Sequence, residues 1–156
     1  MATQKLEPPY DVEAMAVADL DAVIEIERGS FATPSTPQLL LEEMARDWAF
    51  VDVVRDRADR RVVAFTNYWV VADEVHLLNL ATHPRARRAG HASRLLAHVI
   101  ATGRERRCRF VTLEVRRSNT EALRLYKRFG FRPVGVRPGY YAENQEDAIV
   151  MLLGLA

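Results

Sequence analysis

The chain has 156 residues, of which 49% are hydrophobic and 28% charged, and its net charge is +1. This length and composition predict a single soluble domain over residues 1–156, with one hydrophobic core. The sequence has no apolar run of about 18 residues and no secretion signal between Met1 and Tyr10, so we expect a cytoplasmic protein. Its single cysteine, Cys108, excludes an internal disulfide, and we interpret it as a small packing residue.

The first third of the chain predicts one strand and two helices. Residues Tyr10 to Ala16 alternate weakly between apolar and polar side chains, which favours a strand. Asp19 is expected to cap a helix that ends near Gly29. Thr36 is expected to cap a second helix, which Pro37 opens.

Three strands are predicted next. Ala49 to Val54 and Val62 to Val71 are apolar runs joined by a charged turn at residues 57–60, and this arrangement indicates a hairpin. A tight turn at residues 73–74 precedes the third strand, Val75 to Thr82.

The stretch from Leu77 to Ala97 predicts a strand, a basic turn and the start of a helix. Gly90 has no side chain, so a ligand can approach the main chain where the first amides of the helix are free. Such a helix start favours an anion. The segment from Arg85 to Arg117 is also strongly basic, since it contains ten arginines and only two glutamates. The turn indicates either a phosphate-bearing small molecule or a solvated arginine cluster. Nucleic acid is disfavoured because aromatic residues do not interleave with the arginines.

The last third of the chain predicts a strand, a helix and two final strands. These are Arg109 to Val115, Asn119 to Phe129 with Gly130 as its terminator, Phe131 to Val136, and Ala148 to Leu153. The complete order is one strand, two helices, three strands, a helix, a strand, a helix and two strands. It predicts a mixed α/β (α+β) fold with antiparallel hairpins first and crossover helices later.

Glu114 is the main candidate for acid–base chemistry, because it ends an apolar strand. A carboxylate there is partly desolvated and can act as a base; alternatively, it only pairs with Arg116 on the same face. Tyr126 on the following helix is either catalytic or, as is more common, a packing residue. The four histidines, at positions 76, 83, 91 and 98, lack metal-ligand spacing, and we interpret them as surface or turn residues.

Several short motifs carry a resemblance to a known family. R-x-x-G-x-A at Arg87 to Ala92, and N-T-E-A-L-R-L-Y-K-R-F-G-F at Asn119 to Phe131, resemble the acetyl-CoA loop and the N-x-x-A-x-x-L-Y-x-x-x-G-F signature of the GCN5-related N-acetyltransferase (GNAT) superfamily. L-E-V-R-R-S-N at Leu113 to Asn119 and G-Y-Y-A-E-N-Q-E-D-A-I-V-M at Gly139 to Met151 are similar to its RimI type. Enzymes of that type are bacterial and acetylate the N-terminal alanine of a small-subunit ribosomal protein. The resemblance implies a mixed, mostly antiparallel sheet splayed between strands 4 and 5, with about four flanking helices.

The resemblance also implies which residues carry the reaction. Glu114 is expected to be the general base and Tyr126 the general acid of a direct transfer from acetyl-CoA, without a metal. Phe31, Tyr140 and Tyr141 are expected to shape the slot for the acceptor peptide. The residues expected to bind acetyl-CoA are Leu80, Ala81, Thr82, Arg87, Arg88, Ala89, Gly90, His91, Ala92, Ser93 and Asn119.

Three features depart from the family pattern. Ala92 replaces the second glycine of the turn, Pro138 precedes the paired tyrosines, and the early loop from Phe31 to Ser35 lacks the tryptophan common in the RimI type. Transfer to another amine, such as a lysine side chain or a small molecule, therefore stays open, as does a non-catalytic acyl-CoA-binding module. The expected partners are acetyl-CoA and a protein or peptide N-terminus, and neither nucleic acid nor a membrane.

Overall fold

The structure is a computed structural model that describes residues 9–31 and 33–156, so the first eight residues and Ala32 of the early loop lie outside the described part. Within that part, seven strands form one sheet, which four α-helices flank. The strands are β1 (Tyr10–Ala14), β2 (Ala49–Asp56), β3 (Val62–Val71), β4 (Glu74–Thr82), β5 (Phe110–Arg116), β6 (Arg132–Tyr141) and β7 (Glu146–Gly154). The helices are α1 (Leu20–Arg28), α2 (Pro37–Ala45), α3 (His91–Glu105) and α4 (Thr120–Arg128).

The order of elements predicted from the sequence is confirmed, and the largest difference lies in β6. This strand continues to Tyr141 because its pairing with β7 resumes there, after an irregularity, at Tyr141 and Glu146. The expected cap of α2 is confirmed, since the hydroxyl of Thr36 accepts a hydrogen bond from the amide of Leu39 at 3.2 Å.

Asp19 precedes α1 as expected, but its predicted capping role is wrong. Its carboxylate accepts a hydrogen bond from the amide of Ala16 at 2.9 Å and pairs with Arg55 of β2 at 2.7 Å. Burial acts to raise the pKa of Asp19, but the hydrogen bonds from Arg55 and Ala16 outweigh it and lower that pKa. Because Arg55 of β2 binds the carboxylate of Asp19, this carboxylate makes no capping hydrogen bond to α1.

The sheet has the order β1-β2-β3-β4-β5-β7-β6, and β4 and β5 form its parallel pair. A parallel pair needs a crossover connection, and α3 supplies it. Helices α3 and α4 cover one face, where Leu96 and Val99 pack on Val75 and Leu113. Helices α1 and α2 cover the other face, and their core includes Val23, Ile26, Leu40, Val53 and Phe65.

Cys108 lies in the core under α3, as expected of a packing residue. Burial raises the pKa of its thiol, so the unreactive thiol form is favoured.

Candidate active site

The site lies where β4 and β5 separate. Their pairing covers four residues of each strand and ends at Leu77 and Leu113. Beyond that point in the described sheet, β4 pairs only with β3 and β5 only with β7. A β-bulge leaves Leu78 of β4 without a partner in β3, and a bulge increases the local twist of a strand. The splay expected between strands 4 and 5 is therefore confirmed, and it leaves main-chain groups facing the gap.

The basic turn before α3 has a backbone suited to an anion. Arg88 and Gly90 have φ angles of 67° and 78°, in the left-handed region from which successive N–H groups form anion-binding concavities. The first intrahelical hydrogen bond of α3 runs from the amide of Arg94 to the carbonyl of Gly90. The amides of His91, Ala92 and Ser93 therefore have no acceptor within the helix.

The other residues predicted to bind acetyl-CoA lie on both sides of the gap. Leu80, Ala81 and Thr82 end β4 beyond the bulge, and Arg87 and Ala89 belong to the turn that follows. Arg87 donates a weak hydrogen bond to the carbonyl of Gly29 at 3.4 Å. Asn119 follows β5 and caps α4, its Oδ1 accepting from the amide of Ala122 at 3.1 Å.

Glu114 stands at the mouth of the gap, one residue beyond the last pair of β4 and β5. Its side chain is 11% exposed, with Oε2 2.9 Å from His76 Nε2 and Oε1 3.3 Å from Arg137 Nε. The alternative pairing with Arg116 is wrong, because that guanidinium pairs instead with Glu143 of the β6–β7 turn and Glu146 at the start of β7. The candidate base is thus held through both carboxylate oxygens.

Tyr126 is buried in the core beneath α4, an environment compatible with either of its two predicted roles. Burial, followed by the proximity of Tyr141, raises the pKa of Tyr126 to about 12. The pKa of Tyr141 is also raised, by burial first, with Arg116 opposing the shift and Tyr140 and Glu114 adding to it. Tyr141 therefore lies close enough to interact with both Glu114 and Tyr126, and the predicted base and acid have this phenol as a common neighbour.

The β6–β7 turn (residues 140–146, including the adjoining strand ends) forms the opposite wall of the site. Tyr140 is 51% exposed, and its ring stands edge-on to that of Tyr141 with 5.1 Å between centroids. The guanidinium of Arg116 lies 3.8 Å from the centroid of the Tyr141 ring. It also pairs with Glu143 at 2.9 Å and Glu146 at 3.2 Å. Arg116 thus ties the end of β5 to this turn and orients Tyr141.

The early loop reaches the same turn. The hydroxyl of Thr33 donates to Glu143 Oε1 at 3.4 Å, across 110 residues of sequence. Phe31 is partly buried against the core under α1 and α2. Glu27, which is 1% exposed, fixes the loop by accepting a hydrogen bond from the amide of Ser35 at 2.5 Å. The sequence carries no local signal for the contact between the loop and the turn.

The interpretation of the histidines as surface or turn residues is wrong for His91. His91 is 2% exposed and packs edge-on against Tyr10, with 4.5 Å between ring centroids, because the start of α3 lies against β1. Burial, followed by the charge of Arg94, lowers the pKa of His91. His76 is part of the site, where it contacts Glu114.

Sequence reasoning also misses a row of side chains that leads across the sheet to Glu114. Glu43 of α2 accepts a hydrogen bond from Trp69 Nε1 at 2.8 Å. The Trp69 ring meets the His76 ring edge-on, with 6.3 Å between centroids, and Arg137 ends the row beyond Glu114. The strand register, which pairs Trp69 with His76, is the signal that reveals this row.

Residues 9–31 and 33–156 lack two kinds of feature. Across these ranges, no helix is both long enough and apolar enough to span a membrane. The same ranges contain no group of three or more His, Cys, Asp or Glu side chains arranged to hold a metal ion.

A model of the acetyltransferase (GNAT) family matches residues 20–131, which include the gap, the basic turn, Glu114 and Tyr126. The chain belongs to the acetyltransferase (GNAT) family. Its chemistry is therefore that of an acetyl-CoA-dependent N-acetyltransferase.

Two relatives confirm the resemblance of this GNAT enzyme to the RimI type. It is 33% identical over 147 residues to the ribosomal protein bS18-alanine N-acetyltransferase of Salmonella typhimurium, covering 93% of this chain and 97% of that one. The crystal structure of the ribosomal-protein-S18-alanine N-acetyltransferase from Escherichia coli is similar with a TM-score of 0.85, 30% identity and 94% of both chains covered. Arabidopsis thaliana NAA60 in complex with acetyl-CoA shares the fold, with a TM-score of 0.84, 20% identity, and 94% of this chain and 98% of that chain covered.

Proposed function

We propose that this enzyme transfers the acetyl group of acetyl-CoA to the N-terminal alanine amine of a small-subunit ribosomal protein in the cytoplasm. The relatives from S. typhimurium and E. coli carry that activity in their names. The observation that carries the proposal is Glu114, a nearly buried carboxylate at the mouth of the gap between β4 and β5. The basic turn lies on the β4 side of this gap, and the tyrosine-bearing β6–β7 turn on the β5 side.

The β4 side binds the donor. Its strand edge at Leu80, Ala81 and Thr82 can pair with the amides of the pantetheine arm as with an added strand. The free amides at His91 to Ser93 suit the pyrophosphate, since a helix start attracts an anion. Gly90 leaves the main chain open to close approach.

Glu114 is the general base. A peptide α-amine has a reference pKa of about 7.7 to 8.0, so most of it is protonated at pH 7 and must lose a proton before it attacks. The carboxylate accepts that proton directly or through one water. Its low exposure keeps bulk water from competing for the same oxygens.

Tyr126 is the general acid. The CoA thiolate takes up a proton as it leaves, and the reference pKa of a thiol is about 8.5. Because the pKa of Tyr126 is raised to about 12, its phenol is protonated at neutral pH and can donate. The acceptor peptide lies in the slot shaped by Tyr140, Tyr141 and Phe31.

The test is acetylation by the full chain with radiolabelled acetyl-CoA. The substrate is a peptide with the N-terminal sequence of bS18, beginning with alanine. Its matched control is the same peptide with a blocked N-terminus and its lysines free. We expect label on the open peptide and none on the blocked one.

Two results would contradict the proposal. Label confined to the blocked peptide or to small amines would make the enzyme an acetyltransferase of another amine, consistent with the missing loop tryptophan. Binding of acetyl-CoA without turnover on any amine would indicate a non-catalytic acyl-CoA-binding module.

A further inference from the structure

His76 lies on β4 just before the gap opens, beside the carboxylate of Glu114. In the parallel register His76 pairs with Thr112, two residues before Glu114. Because Leu77 and Leu113 point into the core under α3, His76 and Glu114 both point to the opposite face. Their side chains meet there through His76 Nε2 and Glu114 Oε2, 2.9 Å apart.

The two members of this pair differ in exposure. The side chain of His76 is 35% exposed, and that of Glu114 is 11% exposed. The imidazole therefore connects a nearly buried carboxylate to water. A proton on Glu114 can reach solvent through the ring, entering at one nitrogen and leaving at the other.

The neighbours of the pair fix its geometry. Trp69 of β3 stands edge-on to the imidazole, and its indole nitrogen is held by Glu43 of α2. Arg137 of β6 holds the other oxygen of Glu114. The charged and titratable groups that face the pair are thus Arg137 and the phenol of Tyr141 on the Glu114 side, and Glu43, behind the indole, on the other.

We infer that His76 is a positioning residue for the acetyl transfer: its Nε2 holds Glu114 at the gap and carries to solvent the proton that Glu114 takes from the amine. The inference rests on the proposed role of Glu114 as base. The ammonium of the acceptor loses two protons; one ends on the CoA thiol and the other is released to water. At rest the Nε2–H of His76 donates to the carboxylate of Glu114. Once Glu114 is protonated, exchange with water moves the ring proton from Nε2 to Nδ1. Nε2 then accepts the proton of Glu114 and Nδ1 releases its own to water, so the ring and the carboxylate both return to their starting states.

His98 offers a matched control elsewhere in the fold. Its Nε2 lies 2.9 Å from Asp52 Oδ2, and the two side chains are 34% and 9% exposed. Distance and exposure therefore nearly equal those of the first pair. Asp52 and His98, however, join β2 to α3 on the opposite face of the sheet. A change that matters only through loss of a histidine–carboxylate bond should affect both pairs alike.

The experiment compares His76→Gln with His98→Gln in the full-length enzyme. Glutamine keeps a donor near the position of Nε2 but cannot relay a proton at neutral pH. For His76→Gln we expect kcat to fall at least about tenfold, less than the 10²-fold to 10⁴-fold contribution of a general base because Glu114 is retained. The KM for acetyl-CoA should be unchanged and the acid limb of the pH profile displaced. His98→Gln should retain the wild-type kcat and profile.

Chemical rescue provides a second readout. In His76→Ala, added imidazole should restore kcat in proportion to its concentration, because the original ring is partly exposed. A wild-type kcat and pH profile in His76→Gln would overturn the inference. A failure of imidazole to rescue His76→Ala would also overturn it.

The role inferred for His76 can be tested separately from the proposed function. If the enzyme acetylates only another amine, the same variants are tested with that amine. Nitrogen NMR of the imidazoles covers the case of no turnover. Glu114→Gln should then move the Nε2 resonance of His76 and leave that of His98 in place, and an unmoved His76 resonance would overturn the inference.

Discussion

The two walls of the gap are built in different ways. The donor wall is one continuous stretch, in which the end of β4 runs through the basic turn into α3. The acceptor wall joins three distant segments: the early loop, Arg116 at the end of β5 and the β6–β7 turn. The first is fixed by local backbone geometry and the second by side-chain contacts. Substitutions on one wall should therefore affect one substrate and leave the other unaffected.

Glu114 lies between the walls, and its replacement should have the largest effect. Glu114→Gln keeps the size of the side chain but removes the base, so we expect kcat to fall about 10²-fold to 10⁴-fold. The KM values for acetyl-CoA and peptide should change little, as measured by steady-state kinetics. Glu13→Gln is the control, because it alters a carboxylate of β1 that pairs with Arg55 of β2 and Arg60 of the β2–β3 turn. A kcat within threefold of wild type in Glu114→Gln would remove the carboxylate from the mechanism.

Replacement of Tyr126 should have the next largest effect on kcat. The raised pKa of Tyr126 also predicts how kcat depends on pH. Tyr126→Phe should lower kcat by about 10²-fold through loss of the proton donor. The protonated phenol is the working form, and with a pKa of about 12 it persists through alkaline pH. The wild-type kcat should therefore show no decline from this group up to about pH 10. An alkaline limb below pH 9 that disappears in Tyr126→Phe would contradict the assignment.

The contrast between the donor wall and the acceptor wall also explains which parts of the site the sequence can predict. The donor turn is recognisable because glycine, arginines and helix start are consecutive, and Glu114 because it ends an apolar strand. The contacts of Glu114 with His76 and Arg137 depend on the register of three strands, which hydrophobic alternation does not determine. The link from Thr33 to the β6–β7 turn spans 110 residues and likewise has no local pattern.

A substitution at Gly90 should separate the donor wall from the acceptor wall. Gly90 has a φ of 78°, and the nearest atom to an added Cβ is 4.0 Å away, so Gly90→Ala meets conformational strain and no clash. Such strain costs roughly 1 kcal/mol, which lowers the melting temperature by about 2–4 °C. We expect the KM for acetyl-CoA to rise and that for peptide to stay constant. In Gly154→Ala, where an added Cβ meets open space and no positive φ is required, both should be unchanged.

Replacement of Arg116 should have the smallest effect, and we expect that effect only on peptide binding at the acceptor wall. Lysine keeps the charge but loses the flat guanidinium that stacks on Tyr141 and bonds two glutamates at once. Because these contacts are partly exposed, Arg116→Lys should raise the KM for peptide only about twofold to fivefold. The KM for acetyl-CoA should be unchanged. Arg117→Lys is the control, since Arg117 is 58% exposed and, among the described residues, forms its ion pair with Asp147.

The direction of the Arg116 result tests how the acceptor wall works. If Arg116 orients the turn, the loss appears in the KM for peptide while kcat is preserved, because Glu114 keeps its contacts with His76 and Arg137. A fall in kcat with an unchanged KM would instead make Arg116 part of the proton-transfer machinery. The wall would then be coupled to the base through Tyr141, whose pKa responds to both Arg116 and Glu114.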